Sequence, residues 1–384
     1  MRKIGFIPLR KGSKGILNKN KRKMVGRPLF TWVLGEAIFS ELDEVFVYTD
    51  DETIIEFINK EYYWTNKIKA LLRSKESAND TASTESAILE FCETTNYNFD
   101  VFCLLQATSP FTKKDDINNC LKEIGNDFDS ALTVVKTHRF LWDESGNPIN
   151  YNPLERPRRQ DFEGLLIENG AVYVVTKNAL KKHKNRLGEN TAIVKMPEDS
   201  LLEIDTESDW VAVESLLIER QKRYKESQKI THVVFDVDGV FTDGTISYTK
   251  EGEHTKVFDM RDGMGIEILK QFDIEVMVMT SENSELVAKR MKKLKLKHVF
   301  LGVKDKYTLL NQVMQEKGKT LNNVAYVGDD VNDLTNICSV GWSLAPNNAT
   351  DIVKQHADIV LSKNSGAGAI REACQFIMNY NKRF

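Results

Sequence analysis

Short apolar runs alternate with amphipathic stretches over the first part of the chain. The runs, each of a length that suits one buried strand, cover residues 4–9, 45–49, 101–106, 131–135 and 171–175. Between the first two runs, apolar side chains recur at helical spacing at Phe30, Val33, Leu34, Ala37 and Ile38. This alternation extends to about residue 217 and predicts an α/β domain built on a largely parallel sheet.

A second alternation of strands and helices begins at residue 230. Strands are predicted at 230–235, 275–279, 324–327 and 341–344, and a helix at 285–294. Between residues 243 and 258 the side chains instead alternate around Glu251, Gly252 and Glu253, which is a hairpin signal. A hairpin placed directly after the first strand of this domain would cover the carboxyl end of that strand as a flap.

The segment between the two alternations is polar. Residues 219–229 are mostly charged and lack an apolar face, so we expect the solvated end of a helix that runs into a linker. A chain of 384 residues also exceeds what one core usually holds. The sequence therefore predicts two α/β domains, at residues 1–222 and 230–384, joined by a linker at 223–229.

Composition and charge argue against several classes of function. The net charge is −3, from 53 basic and 56 acidic residues, so no overall positive field favours nucleic acid or an anionic membrane surface. No segment approaches the roughly 20 apolar residues that a membrane-spanning helix needs. The five cysteines form no CxxC pair, which favours reduced thiols in a cytoplasmic protein over disulfides or a zinc site.

The loop after the first predicted strand combines glycines with cations. Glycines let backbone amides approach an anion, and neighbouring cations suit a triphosphate. Gly12 and Gly15 are the glycines, and the cations are Arg10, Lys11, Lys14 and Lys19. The loop does not match the GxxxxGK[ST] phosphate-binding pattern, and an exposed basic turn remains the alternative reading.

Five motifs in a fixed order make residues 1–218 similar to the acylneuraminate cytidylyltransferase family, which activates sugar acids with CTP. The motifs are RKGSKG followed by KN, TDD, NDTAS, LLQATSP and ENGAVY. The resemblance implies a Rossmann-like nucleotidyltransferase sheet with Gln106 facing the sugar acid. It also implies a nucleotide site formed by Arg10, Lys14, Lys19, Asn20, Arg73, Asp80 and Ser83.

Two acids late in this domain suit a metal ion. Glu203 and Asp205 lie on one face of an extended stretch, because alternate residues point the same way, and their hard oxygens suit Mg²⁺. Many family members have aspartate at both positions, so Glu203 is a departure. Ile167 replaces an arginine that clamps the sugar carboxylate in many bacterial members. Arg158 or Arg159 is our candidate for that role, with an arginine-rich surface loop as the alternative.

The stretch THVVFDVDGVFTDG carries the candidate chemistry of the second domain. An apolar run ends in Asp236 and Asp238, and two carboxylates so close repel each other unless a cation lies between them. With a divalent metal and a phosphate bound, one aspartate can attack phosphorus while its neighbour transfers the proton of the leaving group. An acidic turn after a strand is the alternative.

Four segments in order make residues 230–378 similar to the haloacid dehalogenase superfamily of phosphatases. The resemblance implies Asp236 as nucleophile and Asp238 as general acid and base. Thr280 and Lys306 would grip the phosphoryl group. Mg²⁺ would be held by Asp236, Asp329 and the backbone carbonyl of Asp238, with Asp330 and Asp333 in support.

The hairpin, the absence of a large cap and the tail GAGAIRE resemble the small tetrameric phosphatases of this superfamily that act on sugar-acid phosphates. Glu282 follows the threonine motif, where the octulosonate 8-phosphate branch carries glycine and arginine. Together with Arg290 and Lys293, Glu282 resembles the nonulosonate 9-phosphate branch, although a glutamate there also suits the start of a helix.

The two resemblances together predict a cytoplasmic bifunctional enzyme that frees a nine-carbon sugar acid from its 9-phosphate and couples it to CMP. Mg²⁺ is expected in both sites and CTP as a substrate, with no nucleic acid or membrane partner. We expect a homotetramer formed through the second domain, with dimer contacts through the first. The alternatives are a cytidylyltransferase whose second domain is only an oligomerisation scaffold, and a CMP-octulosonate synthetase with octulosonate 8-phosphate phosphatase activity.

Overall fold

The structure is a computed structural model, and it describes residues 1–12, 15–79, 81–125 and 127–384. The chain divides into two compact units. The first unit comprises Met1–Arg22 and Pro28–Val213, and the second comprises Lys23–Arg27 and Glu214–Phe384. This division falls inside a helix, whereas the sequence places the boundary at residues 223–229.

The elements up to residue 223 follow the predicted alternation. The strands are β1 (Lys3–Leu9), β2 (Lys23–Met24), β3 (Arg27–Pro28), β4 (Glu44–Thr49), β5 (Ile68–Leu72), β6 (Val101–Leu105), β7 (Ser130–Thr137), β8 (Leu165–Thr176) and β9 (Thr191–Met196). The α-helices are α1 (Leu29–Phe39), α2 (Glu52–Glu61), α3 (Thr84–Thr94), α4 (Lys114–Glu123), α5 (Lys177–His183) and α6 (Glu207–Arg223).

The sheet of the first unit is mixed. Its strand order is β5-β4-β1-β6-β8-β7-β9, and β5, β4, β1 and β6 are parallel. The α/β class is confirmed, but β8 runs antiparallel to both β6 and β7. The apolar run at 171–175 covers only the second half of β8. Its first half is mostly exposed or half-buried, so it leaves no apolar run in the sequence.

An aromatic cluster fixes the centre of this sheet. The ring of Phe6 on β1 lies 4.9 Å from that of Phe91 on α3 and 5.3 Å from that of Phe102 on β6, measured between centroids. All three rings are fully buried. Rings at these separations add to the free energy of burial, and they hold together the elements whose ends form the candidate site.

The second unit contains the remaining elements. The strands are β10 (His232–Phe235), β11 (Ser247–Thr249), β12 (Gly252–Thr255), β13 (Glu275–Met279), β14 (His298–Phe300), β15 (Val324–Val327), β16 (Trp342–Ala345) and β17 (Ile359–Val360). The α-helices are α7 (Met260–Gln271), α8 (Glu285–Lys293), α9 (Lys306–Glu316), α10 (Leu334–Ser339), α11 (Asp351–His356) and α12 (Ala369–Asn381).

Six parallel strands form the sheet of the second unit in the order β14-β13-β10-β15-β16-β17. The chain continues from β10 to β13 and β14 on one side and then crosses to β15 on the other. The carboxyl end of β10 is therefore a topological switch point, where such sheets bind ligands. The predicted hairpin is present as the antiparallel pair β11 and β12. Among the described residues, no helix combines the length and apolar character needed to cross a membrane.

The polar segment after residue 218 is not fully solvated, contrary to our expectation. Arg220 and Gln221 on α6 are buried, and Gln221 Oε1 accepts a hydrogen bond from Ser339 at 3.4 Å. Beyond the helix, Lys225 Nζ donates to Asp358 Oδ2 at 2.5 Å. Polar groups pair here as the segment packs on the second unit, which hydrophobic periodicity does not reveal.

A buried aspartate caps the last helix of the second unit. Asp262 on α7 is 1% exposed, and its Oδ1 accepts from the backbone N–H of Arg371 in the first turn of α12 at 2.9 Å. Its Oδ2 is buried and has no hydrogen-bond partner in the described part of the chain. Burial raises the pKa of Asp262 from 3.8 to about 6, although the hydrogen bond from Arg371 opposes that rise.

Replacing Asp262 with asparagine should remove one component of the pH dependence of stability. Because its folded-state pKa is raised, the unfolded chain loses this proton first, so the wild type loses stability between pH 3.8 and about 6. Asp262→Asn keeps the acceptor for Arg371 and should gain on the order of 2 kcal/mol relative to wild type across that range. Calorimetric melts of both proteins measure this. A difference that does not change with pH would contradict the assignment.

Candidate active sites

A polar cavity of about 380 Å³ lies at the carboxyl edge of the sheet in the first unit. Strands β1 and β6 end at it, and β1 is where the chain switches from one side of the sheet to the other. The cavity brings together most of the residues predicted for the nucleotide and the sugar. Its lining includes Arg10, Lys19, Asn20, Arg73, Ser83, Gln106 and Asp205.

The loop after β1 is tied to the far side of this cavity. Lys19 Nζ donates to the carbonyl of Ile204 at 2.5 Å and lies 3.4 Å from Asp205 Oδ1. Asn20 Nδ2 donates to the carbonyl of Arg10 at 3.3 Å. These contacts place cationic groups and one exposed carboxylate around the same space, an arrangement that suits a polyphosphate with a bridging divalent cation.

Arg73 is held in place by its own loop and by a carboxylate. It follows β5, is mostly buried, and donates to Ser77 through Nε at 3.1 Å and through Nη2 to the carbonyl oxygen. Glu90 on α3 accepts from the backbone N–H of Ser74 at 3.0 Å and from Tyr48 Oη at 2.7 Å. Burial alone would raise the pKa of Glu90, but these hydrogen bonds lower it. An ionised Glu90 thus anchors the loop that carries Arg73.

Several predicted residues lie elsewhere. The described residues that line the cavity do not include Glu203, Arg158 or Arg159. Glu203 is exposed near Gly170, and Arg158 is exposed. Arg159 lies 3.6 Å from Glu198 on the surface. Lys14 and Asp80 lie outside the described residues.

In the second unit, a buried lysine joins two carboxylates at the switch point. Asp236, directly after β10, is 4% exposed, and Lys306, the first residue of α9, is 1% exposed. Lys306 Nζ lies 2.8 Å from Asp236 Oδ1 and 2.6 Å from Asp333 Oδ1. Tyr326 Oη also donates to Asp333 Oδ1 at 2.6 Å, and the backbone N–H of Asp329 donates to Asp333 Oδ2 at 3.2 Å.

The remaining carboxylate oxygens fit a divalent cation. Asp236, Asp329 and Asp333 each offer an oxygen, and these oxygens lie within 4.8 Å of one another. Asp329 Oδ1 is buried and accepts no hydrogen bond from the described residues, whereas both oxygens of Asp333 are already engaged. A Cβ at Gly239 would lie 1.9 Å from Asp329 Oδ2, so only glycine leaves room for that carboxylate. Asp236 and Asp329 are therefore the side chains best placed to hold Mg²⁺.

The pKa values of this cluster are strongly shifted. Burial, followed by repulsion from Asp333, raises the pKa of Asp236 to about 7 and that of Asp329 to about 8. Burial alone would lower the pKa of Lys306, but Asp236 and Asp333 together raise it above its usual value. Lys306 therefore stays charged. Shifts of this size at a sheet edge are typical of catalytic sites.

The other residues predicted for the second unit surround this cluster at different distances. Thr280 is buried directly after β13, and its hydroxyl oxygen accepts from the backbone N–H of Glu282 at 3.3 Å. Glu282 is exposed and 3.3 Å from Lys304. Arg290 donates to the carbonyl of Asp259 at 3.4 Å, so it ties α8 to α7. Lys293 is exposed at the last residue of α8.

One residue of this site was missed by the sequence reasoning. Lys256 follows β12, and its buried Nζ donates to Asp238 Oδ1 at 2.6 Å. It lies within the stretch predicted to form the flap, but an alternating hairpin does not show which of its side chains points inward. A lysine at the base of the hairpin, facing two acids in the preceding strand motif, was the available signal.

Two family models match the chain. The cytidylyltransferase model matches residues 4–243, and the haloacid dehalogenase-like hydrolase model matches residues 302–373. N-acylneuraminate cytidylyltransferase B of Danio rerio is 32% identical, and the match covers 99% of this chain and 91% of that protein. Both resemblances drawn from the motifs are thus confirmed.

Relatives of the second unit are also found. The 3-deoxy-D-manno-octulosonate 8-phosphate phosphatase of Haemophilus influenzae is 40% identical over 39% of this chain and 84% of that protein. A solved structure of the Moraxella catarrhalis phosphatase of the same name, in complex with magnesium ion, phosphate ion and KDO, is 32% identical. It covers 44% of this chain and 94% of that chain, with a TM-score of 0.39.

Mg²⁺ should stabilise the second unit through Asp329. A ligand that binds only the folded state raises stability by about 1.4 kcal/mol for each tenfold excess over its Kd, so Mg²⁺ should raise the wild-type melting temperature. The rise should be smaller in Asp329→Asn. Asp330→Asn is the matched control, because Asp330 is exposed and its carboxylate accepts from the backbone N–H of Val331. An equal rise in wild type and Asp329→Asn would rule out Asp329 as a ligand.

Proposed function

This chain belongs to the cytidylyltransferase family, and we propose that it is a bifunctional enzyme of sugar-acid activation. The second unit removes the phosphate from an acylneuraminate (nonulosonate) 9-phosphate, and the first unit couples the free sugar acid to CMP. The observation that carries the proposal is the buried cluster of Asp236, Lys306, Asp333 and Asp329 in a chain that also holds the cationic cavity of the first unit. A unit used only as a scaffold has no need of four buried charged groups at one switch point.

The first unit needs no enzyme nucleophile. The anomeric hydroxyl of the sugar acid attacks the α-phosphorus of CTP, the bond to the β-phosphate breaks, and pyrophosphate leaves. Arg10, Lys19 and Asn20 line the cavity where the triphosphate would lie, and Gln106 lines the part assigned to the sugar acid. Asp205, with Glu203 as a more distant candidate, would hold Mg²⁺, which neutralises phosphate charge when bound. Catalysis is then mostly positioning and charge neutralisation.

The second unit is proposed to act through a covalent intermediate. A carboxylate oxygen of Asp236 forms a bond to phosphorus, the bond from phosphorus to the sugar oxygen breaks, and Asp238 gives that oxygen a proton. Water then attacks the aspartyl-phosphate, Asp238 takes up its proton, and Asp236 is released with inorganic phosphate. Lys306 and Thr280 hold the phosphoryl oxygens, while Mg²⁺ on Asp236, Asp329 and the carbonyl of Asp238 would neutralise their charge.

The choice of sugar acid rests on two observations. The relative that matches nearly the whole chain is named for N-acylneuraminate, and consecutive reactions require that both units accept the same sugar acid. Glu282, beside the threonine motif, agrees with a nonulosonate. The relatives of the second unit are named for octulosonate 8-phosphate, so a CMP-octulosonate synthetase with the matching phosphatase is the second candidate. Arg158 or Arg159 for the sugar carboxylate, and Arg290 and Lys293 for the sugar phosphate, remain proposals.

The proposal extends to assembly and location. We place the enzyme in the cytoplasm, where CTP is available, as a homotetramer formed through the second unit with dimer contacts through the first. Sedimentation equilibrium of the full chain measures the assembly state directly, and a monomer at micromolar concentration would exclude the tetramer.

Phosphate release from N-acetylneuraminate 9-phosphate with Mg²⁺ is the first test. Asp236→Asn should lower the rate by on the order of 10³-fold or more, because it removes the nucleophile. Asp351→Asn is the matched control, since this exposed acid pairs only locally with Lys354 at 3.0 Å. No release by wild type would favour the scaffold reading, and release only from octulosonate 8-phosphate would favour the second candidate.

Pyrophosphate release from CTP, with a panel of free sugar acids, tests the first unit. Arg10→Ala should lower kcat/KM for CTP by about 10- to 100-fold, the value of one or two charge-assisted hydrogen bonds. Lys122→Ala removes an exposed cation on α4 and should have no effect. Unchanged CTP turnover in Arg10→Ala would show that the loop after β1 does not bind the triphosphate. Turnover with octulosonate alone would overturn the choice of sugar.

A further inference from the structure

A lysine at the base of the flap contacts the carboxylate proposed as general acid. Lys256 follows β12 directly, and its side chain is fully buried. Its Nζ donates to Asp238 Oδ1 at 2.6 Å and lies 3.7 Å from Glu253 Oε1. A buried ammonium group is costly unless it is paired, and here two carboxylates pair it.

The same contacts anchor the flap to the rest of the second unit. Glu253 lies on β12, and its Oε2 accepts a hydrogen bond from Ser284, the N-cap of α8. A two-stranded hairpin is marginally stable on its own. The flap is therefore held by polar contacts on two sides of the site, to Asp238 after β10 and to Ser284 after β13.

The pairing leaves one oxygen of Asp238 for chemistry. Oδ1 accepts from Lys256 whether the carboxyl group is protonated or ionised. Oδ2 is buried and has no hydrogen-bond partner within the described residues. In the acid form the proton is therefore on Oδ2, which is the oxygen still able to meet a leaving group.

We propose that Lys256 is a positioning residue, which holds Asp238 Oδ1 so that Oδ2 delivers its proton to the leaving oxygen of the sugar phosphate. The inference rests on the proposed phosphatase function of the second unit and adds to it a residue that none of the motifs contains. The proton moves from Oδ2 to the sugar oxygen as the bond from phosphorus to that oxygen breaks and the bond to Asp236 forms. In the second step water returns a proton to Oδ2, and Lys256 itself exchanges none.

The test compares two leaving groups in Lys256→Met. A sugar alkoxide is strongly basic and needs a proton as it departs, whereas the nitrophenolate of p-nitrophenyl phosphate departs without one. Misplacing the acid should therefore lower kcat/KM for N-acetylneuraminate 9-phosphate by about 10- to 100-fold, and that for p-nitrophenyl phosphate by less than about threefold. A lysine that only stabilised the flap would lower both to the same extent.

Controls separate this inference from the proposed function. Lys250→Met alters an exposed lysine between the two flap strands and should match wild type with both substrates. If Lys256→Met does not fold, Lys256→Arg keeps the buried charge but shifts its donors, and a selective loss on the sugar phosphate supports the proposal. Equal losses on the two substrates, or no loss, overturn it. A wild type inactive on both substrates would instead refute the phosphatase function.

Discussion

The ion pairs of Lys306 are the interaction on which the second unit depends. Three aspartates meet at the end of β10, and burial with mutual repulsion would otherwise keep them protonated. One ammonium group, 1% exposed, lies within 2.8 Å of two of them. Removing one partner of such a buried group typically costs about 3–5 kcal/mol. The lysine thus makes a concentrated negative site compatible with folding, while enough charge remains uncompensated to attract a metal ion.

Both units solve the same positioning problem with the same topology. In each, a central strand marks where the chain crosses from one side of the sheet to the other, and the polar groups gather beyond its carboxyl end. The first unit places cations there, for a substrate that brings its own negative charge. The second unit places acids there, which need a metal ion and a lysine before a phosphate can approach. The shared fold therefore does not decide the chemistry, whereas the residues at the strand ends do.

Much of this could be predicted because strand ends are visible in the sequence. The apolar run before Asp236 and the one before Asp329 each identified a buried strand, so the acids after them could be assigned to one edge. The links between those acids were not visible, since nothing in the sequence shows that Tyr326 and Lys306 both donate to Asp333. The antiparallel course of β8 and the buried Gln221 escaped for a related reason. Periodicity reports whether a residue faces a core, but not which polar partner it will find there.

The two aspartates of the β10 motif receive their cations from elements of different stability. Asp236 is paired by Lys306 at the start of an 11-residue helix packed in the unit. Asp238 is paired by Lys256 at the base of a two-stranded hairpin that is tied down by few contacts. A group that must form and break a covalent bond at a fixed point benefits from the rigid partner. A group that must meet leaving oxygens and then water needs a partner that docks with the flap, so the orientation of Asp238 depends on that docking.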